Sequence, residues 1–116
     1  VLDLAYDEAT GVALGDTPDG RAVHGLLLRA PSPSPFNPTT LIEFSLERDT
    51  ERVELGVYDL AGRLVRVLDR GALARGSHAR TWDGRDDRGQ AVGSGVYLVR
   101  LANDAGSVTR RAVLLK

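Results

Sequence analysis

The sequence predicts an all-β domain, an antiparallel sandwich of about seven strands with an extra β arm or hairpin at its N-terminus. Three observations carry this. Short runs alternate apolar and polar residues with period two. Four-residue segments that open on an acidic or amide side chain and close on Gly recur between them: Glu8–Gly11, Asp59–Gly62, Asp86–Gly89 and Asn103–Gly106. No stretch keeps apolar residues at helical spacing over ten positions, and Leu64–Ala74, which comes nearest, is spoiled by Gly71 and Gly76.

The N-terminal part comes first. Leu2, Leu4 and Tyr6 alternate with Asp3 and Ala5, and beyond the Glu8–Gly11 turn stand Val12 and Leu14. A polar stretch from Gly15 to Gly20 follows, and residues 1–25 are read as an arm or hairpin distinct from a sandwich over 26–116. Val23–Leu28 is the first expected strand. Pro31-Ser32-Pro33-Ser34-Pro35 is a compact connector, because proline fixes its backbone angle and cannot donate to a ladder. Ile42, Phe44 and Leu46 then alternate with Glu43 and Ser45, and Val53, Leu55 and Val57 with Glu54, Gly56 and Tyr58. Asp59–Gly62 has the chemistry of a type I turn closed by a left-handed Gly, so Leu64–Leu68 is the return strand. His78–Trp82 puts His78, Arg80 and Trp82 on one face. Val96–Leu101 is apolar on both faces apart from Arg100 and should be central, with Val108–Leu115 antiparallel beside it. The strands recur at the ~8–12-residue spacing of a sandwich.

Composition bounds the chemistry. The chain has 116 residues, 15 basic against 16 acidic, and no cysteine or methionine. Disulfides, zinc knuckles and cysteine nucleophiles are excluded, and the balanced charge argues against a nucleic-acid partner. No apolar run reaches the ~18 residues of a membrane-spanning helix, so no membrane insertion is expected. A chain that begins on Val1 reads as part of a longer or processed product.

Candidate sites are few. Trp82, the single tryptophan, is assigned to the core with Phe44, Val57, Tyr58, Val96, Tyr97 and Leu114. A sugar-stacking role for Trp82 would require other exposed aromatics nearby. Asn37 and Thr39 are expected to tie the Phe36 loop to its own backbone. Asp83, Asp86 and Asp87 place three carboxylates in five residues and are the calcium candidates. Their spacing is not that of an EF-hand, and Arg85 and Arg88 interleave, so a capped turn is the favoured reading. His24 and His78 fall on separate strands, with no nucleophile elbow and no Gly-rich phosphate loop. No catalytic residue, cofactor or small-molecule substrate is therefore assigned.

Six segments occur in an order that resembles a known family: Pro35-Phe36-Asn37-Pro38-Thr39-Thr40, Ile42–Leu46, Val57–Val65, Trp82-Asp83-Gly84, Ser94-Gly95-Val96-Tyr97 and Val113–Lys116. Together they resemble the immunoglobulin-like domain of flagellar hook-capping proteins and the related C-terminal sorting domain of the type IX secretion system. The resemblance covers about residues 26–116. It implies an immunoglobulin-like fold without catalysis, in a secreted or cell-surface protein of a Gram-negative-type bacterium. Two departures stand out. Ser34 replaces the first asparagine of the proline motif, and Arg80 stands where the family has an apolar residue. Residues 1–25 have no counterpart.

Two functions follow from the resemblance and the arm. One is a secretion-sorting or surface-anchoring module of a larger exported protein, whose partner is the export machinery. The other is a structural subunit of an extracellular filament or sheath, in which Leu2, Leu4 and Tyr6 are donated as a strand to an identical neighbour.

Overall fold

The computed structural model describes residues 22–116. Among the described residues seven strands form: β1 Leu26–Leu28, β2 Thr40–Leu46, β3 Thr50–Tyr58, β4 Leu64–Leu73, β5 Gly76–Trp82, β6 Gly95–Ala102 and β7 Ser107–Leu114. They make two antiparallel sheets, one in the order β1-β2-β5 and one in the order β4-β3-β6-β7. The result is an immunoglobulin-like β-sandwich, as the sequence predicted. The arm residues Leu2, Leu4 and Tyr6 and the Glu8–Gly11 turn lie outside the described residues.

Alternation explains the layering. In β2 the side chains of Thr40, Ile42, Phe44 and Leu46 are buried while Leu41 and Glu43 face out. In β3 Val53, Leu55 and Val57 point inward, and in β6 Tyr97, Val99 and Leu101 do the same. β7 closes the core with Val108, Ala112 and Leu114. Each of these side chains loses its water on one face of a pleat, the arrangement that period two encodes. As expected, β6 is an inner strand, between β3 and β7.

Parity also corrects two core assignments. Phe44, Val57, Trp82, Tyr97 and Leu114 are buried, but Tyr58 and Val96 are half-buried on the outer face of the four-stranded sheet. Tyr58 follows Val57 in the same strand, and Val96 precedes Tyr97, so neither can share its neighbour's face. The Tyr58 hydroxyl lies 3.3 Å from Glu54 Oε1, and the Arg100 guanidinium sits 6.0 Å over the Tyr58 ring. On the same face, Glu54 binds Arg70 at 2.5 Å and raises the pKa of that guanidinium further.

Strand limits differ in three places. The first expected strand is broken: His24 and Gly25 take positive φ angles of 57° and 76°, and Val23 turns back to exchange backbone bonds with Leu26. β4 runs on to Leu73 instead of ending at Leu68, because bulges let it follow β3 through Gly71. The Phe36 loop is tied by Thr40 Oγ1, which donates to Pro33 O at 2.7 Å, and by Ser34 Oγ, which accepts from Val113 N–H at 3.1 Å. Asn37 and Thr39, expected to do this, are exposed.

Candidate functional site

One end of the sandwich gathers the motif loops, namely the β3–β4 turn and the β5–β6 loop. Two turns there share one construction. Asp59 donates its N–H to Arg63 O and accepts from Gly62 N–H, while its Oδ1 accepts from Ala61 and Arg63 N–H at 3.0 and 2.9 Å. Asp86 repeats the pattern with Gln90 O, Gly89 N–H, and the N–H groups of Arg88 and Gln90, each of the last two at 2.9 Å. Gly62 and Gly89 close the turns at φ of 87° and 84°. Asn103 also caps its turn through Oδ1, and a Cβ at Gly106 would lie 2.5 Å from the exposed His24 ring, which would have to move aside.

The calcium candidates are used inside the loop. Asp86 Oδ1 holds the turn just described. Asp83 Oδ1 accepts from Arg85 N–H at 3.2 Å and meets Arg66 at 3.5 Å. Asp87 Oδ1 accepts from Val67 N–H at 3.0 Å, and Asp87 N–H donates to Val65 O at 3.0 Å. Among the described residues no three carboxylates or imidazoles gather as metal ligands. The loop instead lies along the outer edge of β4 and satisfies backbone groups that an edge strand leaves open. Arg66 pins it, reaching Asp83 and the carbonyl oxygens of Arg85 and Asp86. The sequence reading missed Arg66, and the signal was a lone charge within the aliphatic run Leu64–Leu68.

Beneath the loop lies an aromatic cluster. Trp82 is wholly buried, with the Phe36 ring at 5.3 Å and the Tyr97 ring edge-on at 5.1 Å, and its Nε1–H donates to Arg85 O at 2.9 Å. The Tyr97 hydroxyl donates to Gly93 O at 2.6 Å. Burial, and secondarily the Asp59 charge, push its phenol pKa above the usual 10.0. Gly84 has φ of 73°, and a Cβ there would come 3.3 Å from Pro38 O, so Trp82-Asp83-Gly84 packs onto the proline motif. An open depression of about 470 Å³ separates the two turns, walled by Asp59, Arg63, Leu64, Asp87, Arg88 and Tyr97. Leu60 and Leu64 are exposed beside it.

Arg80 is placed differently from a surface residue. It faces inward from β5 and forms an ion pair with Asp69 of β4, across the gap between the sheets. His78, one pleat away, stacks on Phe44 and sets Nε2 2.7 Å from Ala74 O. The two histidines share no site.

The Asp59 carboxyl titrates below its usual 3.8, chiefly because Arg63 N–H binds it, with the Arg63 side chain adding to the effect. A lowered folded-state pKa stabilises the fold above the ordinary carboxylate range and ceases to do so as pH falls through it. Asp59→Asn keeps the Oδ1 acceptor and loses the charge. We expect wild type to exceed this variant in Tm at neutral pH, with the gap closing below pH 3.8, measured by thermal melts across an acid series. A gap that is constant down to the lowest pH would contradict the assignment.

The molecule is thus an immunoglobulin-like sandwich whose motif loops are closed by their own polar groups. The family model of the FlgD Ig-like domain matches residues 33–107. The chain belongs to that family. The basal-body rod modification protein FlgD of Salmonella typhimurium is 34% identical over 68 residues, which are 59% of this chain and 29% of that protein. The chain therefore spans under a third of the length of the curated relatives it matches. The FlgD structure from P. aeruginosa aligns at TM-score 0.54 and 26% identity, over 65% of this chain and 61% of that one. Dimeric latent PorU from Porphyromonas gingivalis shares the fold at TM-score 0.60 and 19% identity, over 81% of this chain and 10% of that one.

Proposed function

We propose that the chain is a non-catalytic module of a larger bacterial protein at the cell surface or outside it, recognised as a folded unit by the machinery that sorts or anchors that protein. One observation carries this reading: the family motifs are used to build the sandwich. Phe36 and Trp82 pack together, Gly84 seats against Pro38, Asp59 and Asp86 close turns, and Tyr97 bonds Gly93. Motifs used in this way hold the fold that presents the surface loops, whereas an active site would leave polar groups converging on open space. The exposed Leu60 and Leu64 suit such a contact.

The test is export. The whole chain fused behind a periplasmic reporter should carry it to the surface in a host that has a type IX system. Retention of a folded reporter in the periplasm would refute the sorting role. The likeness to FlgD favours a second reading, a structural subunit held in an assembly by protein contacts. Size-exclusion chromatography with electron microscopy separates the two, since the second requires polymers or rings.

A further inference from the structure

We propose that Arg80 closes the free edge of β5 and so keeps two copies of this chain from pairing edge to edge. The argument begins with backbone direction. On the side of β2 away from β5, Leu41 exchanges backbone bonds with Ser32, and Glu43 O accepts from Arg29 N–H. In an antiparallel ladder alternate residues face the same side, so Thr40, Ile42, Phe44 and Leu46 turn their groups to β5. Their partners there are Trp82, Arg80, His78 and Gly76. The backbone groups of Ser77, Ala79 and Thr81 therefore point away from β2, along the outer edge. Among the described residues no backbone group bonds to them.

An edge of this kind is a template for another strand. β5 is seven residues long, contains no proline and pairs with β2 in unbroken register. Ser77, Ala79 and Thr81 are exposed, small and uncharged. The other edges are engaged or short. Asp87 bonds β4 at Val65 and Val67, Phe36 bonds the end of β7 at Val113 and Leu115, and β1 has three residues.

Arg80 is what guards β5. Its side chain starts on the inner face, yet its Nη1–H donates to Ala79 O at 2.7 Å, one of the outward carbonyls. That nitrogen takes the place where the N–H of an added strand would bond. The other arm of the fork, Nη2, is ion-paired with Asp69 of β4, and the guanidinium lies 6.0 Å over the Phe44 ring. A planar guanidinium with five donors serves two acceptors at once, so Asp69 aims Arg80 at the edge. An arriving strand would have to displace that guanidinium and leave the largely buried Asp69 carboxylate without its cation.

The partner this excludes is a second copy of the chain. Two antiparallel β5 strands centred on Ala79 would set that residue opposite its equivalent and Ser77 opposite Thr81. No charged side chain of β5 lies on that face to oppose them. The pairing is self-complementary and closes on a two-fold axis. The guard does not depend on the sorting role.

The test compares the full chain with its Arg80→Leu, Asp69→Leu double variant, by amide exchange in NMR and by sedimentation equilibrium. In wild type the Ser77, Ala79 and Thr81 N–H groups should exchange as exposed amides at every protein concentration. In the double variant they should slow at least about tenfold as concentration rises, and the mass should climb toward twice the wild-type value. Val99 N–H stays protected throughout, which shows that the sandwich is intact. Adding Ala79→Pro removes an outward N–H, leaves the β2 ladder whole and should restore the wild-type mass. Arg80→Met with Asp69→Asn gives the same readout should the leucine pair fail to fold. Slow exchange at these amides in wild type would overturn the proposal. So would a folded double variant that keeps fast edge amides and the wild-type mass, or an association that survives Ala79→Pro.

Discussion

Trp82→Ala is expected to destabilise the domain by about 3–5 kcal/mol, the range for removing a fully buried large aromatic. That is a large share of the roughly 5–15 kcal/mol that holds a typical domain folded. The indole is wholly buried and packs against both Phe36 and Tyr97, so its removal empties the space where the proline loop, β5 and β6 meet. It also removes the shorter of the two hydrogen bonds to Arg85 O, leaving only that from Arg66, and loosens the loop that covers the edge of β4. Urea unfolding followed by circular dichroism measures the effect without relying on tryptophan fluorescence. A shift under about 1 kcal/mol would mean that the cluster does not organise the core. Trp82→Phe should recover most of the loss, retaining ring contacts but not the N–H bond.

The second large effect is expected at the ion pair between the sheets. Asp69 has a side chain only 17% exposed, and one of its oxygens is buried with the Arg80 guanidinium as its charge partner and no well-directed hydrogen bond. Arg80→Ala leaves that carboxylate without its cation and also removes the group lying 6.0 Å over the Phe44 ring. A fully buried pair broken in this way costs about 3–5 kcal/mol. Arg80 is 35% exposed, so solvent screens the loss, and we expect about 2 kcal/mol. The double variant Arg80→Leu with Asp69→Leu should be more stable than Arg80→Ala alone, because no charge is left stranded. A double variant less stable than either single one would show that the pair stabilises by more than mutual compensation.

Both residues illustrate how much was legible beforehand. Trp82, Phe44 and Val57 announce burial through residue type and period-two placement, which depend only on local sequence. Residue type alone draws Tyr58 and Val96 inward, but their parity with Val57 and Tyr97 puts them on the other face. Arg80 was visible as a departure from the family pattern, but its partner was not. Asp69 is on another strand, and a bulge in β4 sets its facing, which no periodicity rule supplies. Likewise the aspartates of 83–87 could be counted in the sequence, whereas their division among Arg66, Val67 and the turn N–H groups follows from how a loop lies against β4. The turns at Asp59 and Asp86 were legible almost completely, since Asx capping and a left-handed Gly are decided within five residues.

The tie between Phe36 and β7 has a consequence for the order in which this domain can form. Ser34 and Val113 bond across 79 positions, and Arg110 reaches the carbonyl of Leu28 across 82. Segments at the start of the described fold thus find partners on the last-made strand as well as on their sheet neighbours. A chain emerging from N- to C-terminus, from a ribosome or through a secretion pore, presents β1 to β6 with the floor of the core missing until Val108, Ala112 and Leu114 arrive. Such long-range closure is slow and comes late. The domain therefore stays open, and threadable, until nearly its whole length has passed.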